Sequence, residues 1–233
     1  MGQMQQSTGS FSATLRLTIG ELAVAHPIAV PSASVPATDI VPALQGLVNA
    51  VVAAAEAGRV VSCTKGCGAC CRQVVPVSRT EGERLLQLVD AMPAGRRAGI
   101  EQRFAAAEAV LAPAGLAARG DRSDREFSLA YFAQRVPCPF LEDESCSIHA
   151  ERPLICREYL VSSPAELCAG PSQEGVMPRP VPKISLAARA LQDDRDSWFP
   201  LAMLMAWRRT RPTASARRPG VEWLQRFVGR LGK

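Results

Sequence analysis

The chain has 233 residues, 47% of them apolar, and a net charge of +5, which is enough material for one sizeable core and an ordinary composition for a globular protein. Residues 1–12 contain no Lys or Arg and no long apolar run, which argues against a secretory signal. The most apolar stretch, Val41 to Ala57, is interrupted by Pro42, Gln45, Asn49 and Glu56 and is a little short to span a bilayer. The expected location is therefore cytoplasmic, where thiols stay reduced and eight cysteines point to metal rather than to disulfides.

Charge is unevenly placed. From Leu201 onward eight basic residues (Arg208, Arg209, Arg211, Arg217, Arg218, Arg226, Arg230, Lys233) meet a single acid, Glu222, so this tail carries +7 and the rest of the chain −2. Such a tail could favour nucleic acid, an anionic membrane or an unknown protein or other acidic partner, and an ordinary solvated surface is the more expected reading. No nucleic-acid-binding signature accompanies it.

Taken in order, residues 1–12 are polar and expected to fray. Leu15, Leu17 and Ile19 alternate with Arg16 and Thr18, which predicts a short strand, with Glu21 to Val30 returning as its partner. Pro31 to Asp39 reads as a loop. A helix starts near Asp39, whose side chain can cap it. Leu44, Leu47, Val48, Val51 and Ala55 form its apolar face, and Gly58 supplies the stop before Cys63. Val74 to Val77 is short and extended. Ser78-Arg79-Thr80-Glu81 then opens a second helix, with Leu85, Leu86, Leu88 and Val89 inward and Pro93 ending it.

A third helix spans about Gly95 to Leu111, with Ile100, Phe104, Ala107 and Val110 or Leu111 on its dry side. Asp121 to Asp124 offers the N-cap of a fourth, carrying Phe127, Ala130, Tyr131 and Gln134. Pro137 and Pro139 fix extended backbone around Cys138, and Pro153 suits the first turn of a short helix carrying Cys156. Gly170 to Lys183 holds four prolines and reads as a tether. Two helices finish the chain, from near Asp196 to Arg209 and from near Gly220 to Leu231.

The stretch Cys63-Thr-Lys-Gly-Cys67-Gly-Ala-Cys70-Cys71 places four thiols within nine residues, separated by two glycines and no bulky side chain. That lets the backbone wrap tightly and bring several sulfurs to one point. A disulfide reading suffers because adjacent cysteines rarely bridge without strain. The other four, Cys138, Cys146, Cys156 and Cys168, fall in one later segment, and the two groups are expected to meet around metal. Thiolate sulfur suits zinc, copper(I) or iron–sulfur clusters. Cys63 and Cys67 are read as one helical turn apart, and Cys67 and Cys70 have the two-residue gap of metal knuckles. Neighbouring side chains diverge, so Cys70 and Cys71 are expected to serve different ions or different irons. Eight sulfurs could saturate two four-coordinate sites, or hold one cluster with thiols to spare.

Lys65, Arg72, Arg152 and Arg157 lie beside these cysteines and could offset thiolate charge or donate to sulfur; ordinary surface bases would look the same. His149, three residues after Cys146, is expected in an outer or surface role rather than as a ligand, and His26 as structural. Glu142, Asp143 and Glu144 read as an exposed turn. Glu158 and Tyr159, directly after Cys156 and Arg157, are better placed for a site role, with packing the default for Tyr159.

The cysteine spacing, together with Cys138-Pro-Phe-Leu, Cys146-Ser-Ile-His and Arg152-Pro-Leu-Ile-Cys-Arg, resembles the YkgJ-type cysteine-cluster family, also called the CxxCxxCC zinc- or iron-chelating domain. The resemblance covers roughly Ser62 to Cys168. That family includes proteins described as iron–sulfur oxidoreductases and as flagellin lysine N-methylases. The resemblance implies metal or cluster binding and carries the metal-binding positions over to Cys63, Cys67, Cys70, Cys71, Cys138, Cys146, Cys156 and Cys168. The first gap here is three residues, a variant the family's name does not spell out, and His149 stands where the family often has Tyr.

The expected fold is mostly α: a small, helical, loop-rich domain organised around a cysteine-ligated metal centre, with minor β at the N-terminus. The chain divides into an N-terminal strand and helix extension (1–60), the cysteine-cluster domain (61–170), and a tether with basic C-terminal helices packing on that domain (171–233). The leading function is metal binding through an iron–sulfur cluster or zinc, iron–sulfur favoured, with redox or transferase activity open. The alternative is a zinc-stabilised structural or interaction module. A minor alternative is a radical S-adenosylmethionine-type or N-methylase enzyme. Cys63-x3-Cys67-x2-Cys70 matches the radical-enzyme spacing, but Ala69 stands where an aromatic residue is usual, and no barrel pattern follows.

Overall fold

A computed structural model of the chain describes residues 9–58, 60–64, 66–169, 183–192, 198–211 and 215–231. The expected tether over 170–182, the charge-offsetting Lys65 and the expected helix start near Asp196 lie outside them. Helices dominate the described residues, joined by four short antiparallel strand pairs.

The alternation read in the N-terminal segment builds a hairpin. Strand β1 (Ser10–Ile19) pairs with β2 (Leu22–Pro31) from Ser10↔Pro31 to Ile19↔Leu22. It is longer than predicted: residues 10–12, expected to fray, belong to β1. Val24, Ile28 and Val30 are buried on one face, and His26 lies over Gly46, where an added Cβ would sit 3.2 Å from its Nε2. His26 is a packing residue, as the sequence suggests.

The predicted loop after β2 is partly ordered. Strand β3 (Ser34–Pro36) and a 3-10 turn over Ala37–Ile40 precede helix α1 (Val41–Glu56). Asp39 therefore sits inside the turn, where it accepts a bond from Thr38 Oγ1 (3.2 Å), and does not cap α1. Ile40 is the N-cap residue, and Pro42 occupies the opening helical turn, where its missing N–H costs no bond. Gly58, at φ +72°, turns the chain out of the helix. Together with its 3-10 turn this segment, Ala37–Glu56, is 20 residues long with a mean hydropathy of 1.4, so length and composition alone would let it cross a membrane. Half of it is buried inside the protein instead. Leu44, Leu47, Val48 and Val51 are fully enclosed, each contributing about 1.5–3 kcal/mol of burial.

Strand β4 (Pro76–Ser78) leads into α2 (Arg79–Asp90), where the predicted capping box is complete: Ser78 Oγ accepts from Glu81 N–H (3.3 Å) and Glu81 Oε2 accepts from Ser78 N–H (3.2 Å). Helix α3 (Ala94–Leu111) turns Ile100, Phe104, Ala107 and Leu111 inward, so Leu111 and not Val110 takes the last buried position. Within the predicted capping window Ser123 caps α4 (Asp124–Ala133), again with a complete box, through Glu126. The hairpin β5 (Leu141–Glu142) and β6 (Ser145–Cys146) is followed by α5 (Leu154–Glu158), with Pro153 just before its first turn.

The C-terminal part departs from the two long helices expected. Strand β7 (Trp198–Pro200) pairs with β4, and helix α6 (Leu204–Thr210) starts only after a 3-10 turn at Leu201–Met203. Pro200 holds Phe199 extended and blocks helix there. Strand β8 (Arg217–Pro219) pairs with β3, and α7 (Gly220–Val228) follows.

Three cores result. The first joins β2, α1, Leu154, Ile184, Leu191 and the α7 residues Trp223, Leu224 and Phe227. Trp223 donates Nε1–H to Val35 O (2.9 Å) and lies between the guanidinium groups of Arg218 and Arg226, 5.4 and 5.6 Å from its ring centre. The second joins α2 and α3 to Phe140, Ile148, Phe199, Leu201 and Leu204; Cys138 and Cys146 pack against it. The third lies between α3, α4, Val136, Ala202 and Met203. Much of the tail's positive charge is used internally: Arg208 pairs with Asp90, Arg209 with Glu108, Arg211 with Glu83 and Arg218 with Glu222.

Candidate metal centre

All eight cysteines are free thiols. Cys63 and Cys67 lie in the irregular segment after α1. They are not on a helical turn as expected: Cys67 N–H closes a tight turn on Thr64 O (3.1 Å), with Gly66 at φ +88°. Cys70 and Cys71 sit in a 3-10 turn, Ala69–Arg72. Cys138 precedes the β5–β6 hairpin, Cys146 ends β6, Cys156 lies within α5, and Cys168 lies in a 3-10 turn over Ala165–Ala169.

Backbone bonds bring the two groups together. Cys138 N–H donates to Cys71 O (2.7 Å), and Ser62 N–H donates to Val161 O (2.9 Å). Val161 N–H in turn donates to Cys63 Sγ (3.4 Å), and Gln73 Nε2 donates to Cys168 O (3.3 Å). Gly68 makes the closest approach: an added Cβ would lie 2.7 Å from both Leu141 Cδ1 and Glu144 Oε2. Arg72 reinforces the same seam, bonding Gly68 O (3.1 Å) and pairing with Glu144 Oε1 (2.6 Å). The acidic tip is the turn expected, with Asp143 and Glu144 at φ +47° and +55°. Glu142 pairs with Arg103 on α3.

Cys70 is the electrostatic hub. Its thiol is held well above the ordinary thiol range, first by the adjacent Cys71 thiol and then by burial. Cys70 also acts on Cys63, Cys138, Cys146, Cys156 and Cys168. Burial is the first cause of the raised values at all five, with Cys138 pushed up to about 12. Desolvation favours the neutral thiol, and each neighbouring sulfur adds to that bias.

Of the bases considered from sequence, Arg152 stands out. Its charge favours the ionised form of Cys70, Cys146 and Cys156, and its Nε is buried with no hydrogen-bond partner. Arg157 has a supporting role: it bonds Arg152 O (3.0 Å) and Asn49 Oδ1 (2.9 Å), and burial pulls it down to about 10. Glu158 is held by Ser185, through N–H (2.5 Å) and Oγ–H (2.7 Å), and burial raises it to about 7. Burial is the first cause of the raised Tyr159 hydroxyl, with the Cys168 and Cys70 thiols adding to it. His149 is exposed in a 3-10 turn at His149–Glu151.

Several residues that hold this site were not singled out from sequence. Gln45 Nε2 on α1 donates to Glu151 O (3.1 Å) and Arg152 O (3.3 Å), one turn from Asn49. Glu81, fully enclosed, accepts from Leu154 N–H (3.0 Å) at the start of α5 while closing its own capping box. Helices α1 and α2 thus position the segment carrying Cys156. The only signal in the sequence was the presence of polar residues on otherwise apolar helix faces.

The donor types fit a thiophilic metal: eight free thiols, a cationic Arg152 and no competing disulfide. Among the described residues no group of three or more His, Cys, Asp or Glu side chains forms a ready-made cage. Ligation would require the raised thiols to lose their protons. Residues 62–173 match the family model CxxCxxCC, "Putative zinc- or iron-chelating domain". No curated protein and no solved structure matches the chain. Residues 62–173, just under half of the chain, are thus similar to the CxxCxxCC family, whose domain is described as chelating zinc or iron.

Proposed function

We propose that this protein binds metal through Cys63, Cys67, Cys70, Cys71, Cys138, Cys146, Cys156 and Cys168, as an iron–sulfur cluster in preference to zinc. One observation carries the reading: Cys138 N–H donates to Cys71 O (2.7 Å), joining the two cysteine groups, with every thiol free. Two independent tetrahedral zinc sites would call for two separate quartets. Joined segments that carry more thiols than one zinc can take favour a cluster. A redox or transferase activity would rest on that cluster. Eight unpaired thiols also suit a reducing, cytoplasmic setting.

The test is anaerobic purification followed by elemental analysis and absorption spectroscopy. The expected result is brown protein with iron, acid-labile sulfide and absorption reaching into the visible. Colourless protein with stoichiometric zinc supports the second reading, a zinc-stabilised module. What favours that reading is the shortness of β5, β6 and α5, which have little apolar surface of their own to order them. Protein carrying neither metal overturns both.

A further inference from the structure

The β1–β2 hairpin has two outer edges, and they are built differently. Ser32 N–H donates to Gly9 O (2.9 Å), which continues the register of the pair. The odd-numbered residues of β1 therefore exchange backbone bonds with β2, and the even-numbered ones, Ser10, Ser12, Thr14, Arg16 and Thr18, turn their N–H and C=O groups away from it. By the same alternation the outward positions of β2 are Ala23, Ala25, Pro27, Ala29 and Pro31, and the two prolines there have no N–H to offer. Proline at such positions closes a sheet edge to further pairing. The β1 edge has no such block. Its ten residues carry one charge, Arg16, no proline and an unbroken register, and among the described residues no other strand pairs with it.

Apolar side chains follow the same asymmetry. Val24, Ile28 and Val30 on β2 are enclosed by the first core, whereas Leu15, Leu17 and Ile19 on β1 are only partly covered by it and Phe11 is 41% exposed. Strand β1 thus overhangs its own core, with backbone groups and apolar side chains open along one edge. We propose that this edge pairs with the same edge of a second copy of the chain, β1 antiparallel to β1, across a two-fold axis that makes one four-stranded sheet. The strand is self-complementary in a register centred on Thr14. Ser10 then meets Thr18, Ser12 meets Arg16 and Thr14 meets its own copy, so all five outward residues bond, while Phe11 covers Leu17 and Ala13 covers Leu15. No like charges oppose one another in that register, and this match of the strand to itself selects a second copy over a foreign strand. The interface is at the small end of specific ones, on the order of 1,200 Å² in total, so the dimer forms reversibly. The inference is independent of the metal centre.

Analytical ultracentrifugation of the full chain tests this, from micromolar to submillimolar concentration and with reductant present so that no disulfide links copies. Wild type is expected to shift from monomer to dimer as concentration rises. Thr14→Pro removes an N–H that the hairpin itself does not use, and should raise the dissociation constant about tenfold or more while leaving the circular dichroism spectrum unchanged. Ser12→Glu sets a carboxylate opposite Arg16 of the second copy and should tighten the dimer about threefold or more; Ser12→Arg should loosen it by a similar factor. Ser12 is exposed, so this pair of variants keeps the test standing if Thr14→Pro disturbs the fold. Opposite signs at one position also separate strand register from a general change in solubility. A chain that is monomeric at every concentration, whether its edge stays bare or takes a strand of another protein, overturns the proposal. So does a dimer that the two Ser12 variants leave unchanged or shift in the same direction.

Discussion

Gly68→Ala tests whether the two cysteine segments are truly locked together. Gly68 has φ −95° and ψ 7°, a conformation open to any residue, so alanine there probes space and not backbone strain. The added Cβ would meet Leu141 Cδ1 and Glu144 Oε2 at 2.7 Å and Glu144 O at 3.1 Å. The first two are side-chain ends that can rotate away. The third is backbone, so β5–β6 must retreat by a few tenths of an ångström. Moving Glu144 also loosens its pair with Arg72, a half-exposed contact worth under about 1 kcal/mol. Overpacking of this kind adds about 1–3 kcal/mol, and we expect a total loss in that range. Because Cys146 ends β6 and Cys138 precedes β5, metal retention should weaken in parallel. Urea denaturation of the reduced, metal-free protein measures the first effect, and chelator competition the second. An unchanged midpoint together with unchanged metal retention would refute the seam at Gly68.

Other substitutions probe the supports of the site. Gly99→Ala, in α3 with no atom within 4 Å of the new Cβ, should raise stability by about 0.5–1 kcal/mol in the same urea assay. Trp223→Ala removes an indole only 1% exposed, together with its bond to Val35 O, and should cost about 3–5 kcal/mol by thermal or urea melting. Glu81→Gln should destabilise by about 1–3 kcal/mol by disturbing the capping box and the bond from Leu154 N–H. Burial raises the Glu81 carboxyl above its ordinary value, so stability present below the ordinary carboxyl range is lost as pH climbs through the raised value. The gap between wild type and Glu81→Gln should therefore be widest at acid pH and narrow as pH rises, as read from urea midpoints across that range.

What could be read from sequence was local. The Ser78–Glu81 box, the stop at Gly58 and the alternation of Leu15, Leu17 and Ile19 depend on residues a few positions apart, and each appears in the fold. Strands β3 and β4 are three residues each, too short for a period to show, and their partners β8 and β7 lie far along the chain. Asp39 looked like a cap because nothing nearby announced the 3-10 turn that contains it. The cysteine positions were legible as a candidate site, whereas the 3-10 turn that carries Cys70 and Cys71 is a turn type that the spacing does not specify. Gln45, Asn49 and Glu56 were weighed only as polar interruptions of an apolar helix. In the fold, Gln45 and Asn49 hold the later cysteine segment.

The pairing of β4 with β7 sets an order of events during synthesis. Phe199, Leu201 and Leu204 complete the second core, against which Cys138 and Cys146 pack, and all three are made after every cysteine has left the ribosome's active site. Until those residues emerge, the thiol-bearing half has no lid on its apolar flank. The newborn chain therefore passes through an interval in which all its thiols exist and the fold around them is still open.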